Sequence, residues 1–353
     1  SDPGAEVHWS KTVSLAEQLV LNDPDSLIHR EELANALAHL GAIRSRSNLK
    51  GESRELLERS LTLRREILDA RHSARESRPN ESELGIDTAE AWLRVAEVEL
   101  ALDKVPNLAE VEPIVVDLLE RPKLEPSETA RLARVVLGLA ELEHSAQLPS
   151  RAVRSAEQAR WLYEQIEDGP IAQAGIARTF LVQALSNREL DRTTEARKPF
   201  RQAITRFECL VKADPGSPDL RRQLGKTQFD HGRFLDQVGP PLDAVAAYEK
   251  SLQIRLELTL EEPEGYRNWL ELAESRSALA NEHRVGPVRS VWLGLLAIGD
   301  RLKVLSLAPG LEENRRELRR LATSSLQSIR RKWHRFPVKG LWKAATAPDF
   351  QSH

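Results

Sequence analysis

The chain has 353 residues and a net charge of −3, with 41% apolar and only 5% aromatic residues. That balance argues against a dedicated nucleic-acid binder, and the single cysteine, Cys209, excludes a disulfide framework and a cysteine-based zinc site. Methionine is absent, even at position 1, and the pattern opens in mid-helix, so the sequence reads as a piece of a longer protein.

From the start, Trp9, Val13, Ala16 and Leu19 stand at helical spacing. Asp23-Pro24 ends this helix, because proline donates no N–H and disfavours helical geometry just before it. The next helix is predicted over 26–46, capped by Asp25 or Ser26, with an apolar stripe of Leu27, Leu33, Ala34, Leu37 and Leu40. A turn at 48–51 leads to a helix over 52–70, after which the polar stretch Arg71–Glu83, broken by Pro79, reads as a loop insertion. Further helices are expected over 86–102, 106–120, 127–146, 149–167, 171–187, 192–213, 217–237, 241–261, 265–283, 287–306 and 311–332. Pro113 and Pro199 fall inside two of these and predict a kink or a later start, while Gly239-Pro240-Pro241 predicts a sharp turn. The last stretch, 333–353, is less regular and reads as a capping segment or tail. Cys209 and the tryptophans at 92, 161, 269 and 292 lie among apolar neighbours and are expected in the core.

The chain also repeats itself. Prolines at 24, 79, 126, 170, 215, 263 and 309 are separated by 44 to 55 residues. Pro24, Pro215 and Pro309 each lead to an arginine six positions on and a leucine nine positions on. Leu19–Arg64 overlays on Leu210–Arg255 at a constant shift of 191 residues, keeping Asp-Pro, Gly41 with Gly232, and Ser60-Leu61…Arg64 with Ser251-Leu252…Arg255 in register. A fixed period of this size signals units that bury their apolar faces only against neighbours. The expected fold is therefore all-α: a solenoid of about seven stacked helical hairpins over residues 1–332, with a concave and a convex face.

The phrase Ala247-Tyr248-Glu249-Lys250-Ser251-Leu252 resembles the second-helix signature of tetratricopeptide repeats. Gly41 and Gly232 fall at that family's small position, and Asp23-Pro24 and Asp214-Pro215 at its terminal proline. The long unit and the closing Pro348-Asp349-Phe350-Gln351 are similar to arrays that follow serine/threonine kinase domains in planctomycete-type bacteria. The resemblance implies a right-handed superhelix that binds a peptide or partner protein and recruits partners to an upstream kinase or effector domain. It implies a cytoplasmic setting, or an extracytoplasmic one where a membrane anchor lies upstream. In such arrays the first helix of each hairpin lines the concave groove, and carrying that register over gives Asn35, Lys226, Arg233 and Arg320 as partner-binding residues. The family's carboxylate clamp of lysine and asparagine is not reproduced as a set.

No catalytic, cofactor or metal site is predicted. His29-Arg30-Glu31 departs from the kinase catalytic loop in its acid and lies inside a repeat helix, and neither a phosphate-binding glycine loop nor a His-Glu-x-x-His zinc motif occurs. Glu141, Glu143 and His144 are adjacent in sequence and diverge around a helix. Charge is uneven: residues 81–143 hold 15 acids against 6 bases, and residues 311–343 hold 10 bases against 3 acids, a dipole able to steer a partner. Two rival readings remain at this point. One is an autoregulatory module docking on its own neighbouring domain; the other is a nucleic-acid-binding array centred on Arg315–Arg335.

Overall fold

A computed structural model describes residues 3–47, 49–121, 124–239, 241–282, 285–310 and 314–320. Among them lie α1 (Pro3–Asn22), α2 (Leu27–Arg46), α3 (Lys50–Ser77), α4 (Ser82–Ala101), a 3-10 turn (Leu108–Glu110) and α5 (Glu112–Glu120). These are followed by α6 (Pro126–Ser145), α7 (Pro149–Glu164), α8 (Pro170–Glu189) and α9 (Thr193–Ala213). The series closes with α10 (Pro218–Val238), α11 (Pro241–Glu261), α12 (Tyr266–Asn281) and α13 (Pro287–Leu307). Residues 314–320 are helical too, and no strand occurs among the described residues.

Consecutive helices pair as antiparallel hairpins, each packed on the next, so the molecule is a helical-hairpin solenoid. The backbones of α4, α6, α8 and α10 also approach one another directly and form the inner wall. The odd-numbered helices stand outside and reach each other through long side chains, as Arg75 of α3 does to Asp117 of α5 and Arg289 of α13 to Glu249 of α11. One apolar core runs without a break from Ile86 in α4 to Leu293 in α13, and smaller clusters continue it at the N-terminal end.

The internal shift of 191 residues has a structural cause. Ser60 donates to the carbonyl of Ala34, and Ser251 to that of Gly225, so the same bond joins the two helices of each hairpin. Gly41 and Gly232 let those helices close: a Cβ would meet Leu57 at 3.0 Å and the Tyr248 ring at 2.7 Å, respectively. Ser26 and Ser217 cap α2 and α10, as prolines at 24 and 215 require a fresh helix start. Arg30 donates its Nε to the Pro24 carbonyl at 2.9 Å, and Trp269 does the same to Pro263 at 2.7 Å, so the sixth residue after the proline ties down the turn.

Several expectations need correction. Arg71–Ser77 is not a loop but the last two turns of α3, held by Arg71 to Glu31 and by Arg75 to Asp117. Pro113 is the second residue of α5, the later start expected, whereas α9 runs through Pro199 without restarting. Cys209 is exposed, because its side of α9 faces outward. Trp161 and Trp292 are 53% and 54% exposed, while Trp92 is buried and Trp269 half-buried. Segment 333–353 and most of the predicted helix over 311–332 lie outside the described residues.

The α2 end of the array touches the α12–α13 hairpin. The Gly310 N–H donates to the carbonyl of Arg46 at 2.7 Å, and the Arg46 guanidinium lies 5.2 Å from the centre of the Tyr266 ring.

Candidate partner-binding face

The inner wall is polar, and several of its cations find an acid on the neighbouring even-numbered helix, although the exposed Arg134 of α6 forms no ion pair with a described residue. Arg94 of α4 pairs with Glu31 of α2 at 3.2 Å. Arg131 of α6 pairs with Asp87 and Glu90 of α4, and Arg178 of α8 holds Glu141 of α6 in two bonds of 2.7 Å. These contacts engage Asp87, Glu90 and Glu141 of the acidic stretch over residues 81–143.

The ladder breaks between α8 and α10. Lys226 and Arg233 lie on one face of α10, seven residues apart, both exposed and neither in an ion pair with a described residue. Between them Asp230 is buried, 8% exposed. Burial pushes its carboxyl above the usual range, opposed by the charges of Lys226, Arg188, Arg233 and Arg255. Across from it, Arg188 of α8 buries an Nη1 atom without a hydrogen-bond partner. Beside them the His144 Nδ1 meets the Ser186 hydroxyl at 3.2 Å and Glu189 at 3.3 Å, and burial holds this imidazole below its ordinary pKa.

This notch sets four cations, Lys226, Arg188, Arg233 and Arg255, around one buried acid. Its cations offer donors to carboxylates or carbonyls, and Asp230 offers an acceptor to an N–H. An extended peptide presents both kinds of group, and its own acidic side chains would meet the lysine and arginines.

Of the residues expected to bind, Lys226 and Arg233 are brought together here. Asn35 is at the matching place on α2, but its Oδ1 accepts from the buried Arg64 at 3.0 Å, so its amide is already engaged in the hairpin. Arg320 is exposed and paired within its own helix to Glu317 at 2.5 Å, away from the notch. Sequence reasoning missed Arg188 and Asp230, and weighed His144 only as a metal ligand beside Glu141 and Glu143. Asp230 alone carried a signal, lying four residues after Lys226 and three before Arg233 on the same helical face.

Among the described residues no group of three or more His, Cys, Asp or Glu side chains could hold a metal ion, and no helix is long and apolar enough to cross a membrane.

Fold and face together define a helical-repeat solenoid with a polar inner wall. No family model matches the chain, and no curated protein matches it by sequence. Among solved structures it is similar to BtubC from P. vanneervenii, with 16% identity and a TM-score of 0.49 over 76% of this chain and 92% of that one. It is similar also to a signal-transduction ATPase with a tetratricopeptide-repeat sensor from Pyrococcus horikoshii, with 12% identity and a TM-score of 0.45 over 87% of this chain and 41% of that one. A third is Nro1, a hypoxic regulator of sterol synthesis described as a nuclear import adaptor, with 13% identity and a TM-score of 0.43 over 89% of this chain and 99% of that one.

Proposed function

We propose that this chain is a non-enzymatic scaffold that binds an acidic, extended segment of a partner protein on its inner wall at α10. The observation that supports this reading is the break in the ion-pair ladder, where Lys226 and Arg233 are exposed without an ion pair to a described residue while Arg94, Arg131 and Arg178 are each paired. Preformed helices leave little to order on binding, so such a face holds a flexible ligand at low entropic cost. Recruitment of partners to an upstream kinase or effector domain, in the cytoplasm, belongs to the same reading. So does its variant, in which the bound segment comes from a neighbouring domain of the same protein.

The test is a pull-down from the source lysate at physiological salt, with mass spectrometry of the retained proteins. A small set is expected to be retained by the native chain and lost on Lys226→Glu with Arg233→Glu. Each reversal removes a charge-assisted contact, so binding should weaken about ten- to hundredfold per site. The same set retained by the double variant, or only salt-labile nucleic acid on the native bait, would remove this reading.

A further inference from the structure

In a stack of antiparallel hairpins the start of every inner helix lies along one edge and its end along the other. Arg46 ends α2 and so lies on the far edge of the first hairpin. Tyr266 begins α12, and Gly310 follows the end of α13, which puts both on the near edge of the last units. Yet Gly310 N–H meets the Arg46 carbonyl at 2.7 Å, and the Arg46 guanidinium covers the Tyr266 ring at 5.2 Å. Opposite edges can meet only if the array rises by about one helix length, ~30 Å for a 20-residue helix, in one complete turn. The first and last units are therefore stacked along the superhelix axis, and the inner wall is encircled.

We infer that this contact is a latch, which closes the array into a single superhelical turn and sets which partners reach the inner wall. With the latch shut, the wall is reached only along the axis, a route that suits an extended chain; a folded domain enters only when the ends part. The latch is built to part. Among the described residues it shows one neutral hydrogen bond and one cation–π contact, each of them individually weak. Neither depends on Lys226 or Arg233, so the latch stands or falls separately from the peptide-binding reading.

Two experiments test it. Replacing Tyr266→Ala with Gly310→Pro removes the ring and the N–H donor together. Small-angle scattering should then show a radius of gyration larger by a few ångström, at unchanged helical circular dichroism; an unchanged radius in the folded variant overturns the proposal. Independently, Arg46→Cys with Gly310→Cys, in a Cys209→Ser background, should oxidise to an intramolecular disulfide in the monomer and keep the native radius. Failure to cross-link within the monomer overturns it equally.

Discussion

Three residues at the ends of inner helices adopt a backbone that L side chains rarely take. Asp103, Gln147 and Asp191 have φ of 57°, 60° and 57°, and they are spaced by 44 residues each time. In each case the next N–H reaches back five residues, Lys104 to Glu99, Leu148 to Glu143 and Arg192 to Asn187, which closes the helix with the same left-handed turn. This is a repeat signature running through residues 99–192. It escaped notice because the position asks for a backbone angle, and side chains as different as aspartate and glutamine supply it. Aspartate tolerates that angle better than glutamine does. Gln147→Gly should therefore raise stability by about 0.5–1 kcal/mol in denaturant titration. His231 is a second residue whose state is set by its surroundings. It packs 5.4 Å from the Phe200 ring and beside Phe234, and burial holds its pKa down at about 4. Folded, it stays neutral where the unfolded chain takes up a proton near pH 6.5. Its contribution is thus complete above pH ~6.5 and is lost as pH falls toward 4. His231→Gln should flatten the pH dependence of stability in that window by roughly 1–3 kcal/mol, after allowance for solvent screening at this partly buried ring.

At the scale of elements, the helices followed from apolar spacing and their boundaries from proline and serine. The register between helices was legible where a specific bond enforced it, as Ser60 and Ser251 do. The end of α3 was not legible, because Arg71–Ser77 has no apolar stripe; long side chains reaching α2 and α5 hold it instead. Exposure of Trp161 and Trp292 was hidden for the opposite reason: large aromatic rings among apolar residues look the same in sequence whether they point inward or outward. Glycine permits close approach both within a hairpin, at Gly232, and between successive hairpins, at Gly175. A Cβ on Gly175 would lie 2.3 Å from the Tyr163 ring, and one on Gly232 would lie 2.7 Å from that of Tyr248. Both rings are buried, so neither can swing aside. Gly232→Ala should cost about 1–3 kcal/mol, read as a lower midpoint in urea with the slope unchanged.

On the scale of the whole molecule, the candidate site was half visible in advance. Lys226 and Arg233 could be placed on the inner wall by register. That neither forms an ion pair with a described residue could not, because pairing depends on which helix the superhelix brings alongside. The contact between Arg46 and the last units lay further from view, joining residues 264 positions apart through the accumulated twist of every unit between. That contact changes what kind of object the array is. A linear stack of repeats is loosest at its two boundary units, which have a neighbour on one side only, and it frays from there inward. Once the first unit rests on the last, each boundary is shared. Fraying at one terminus then strips support from the other, so the two ends loosen together rather than independently.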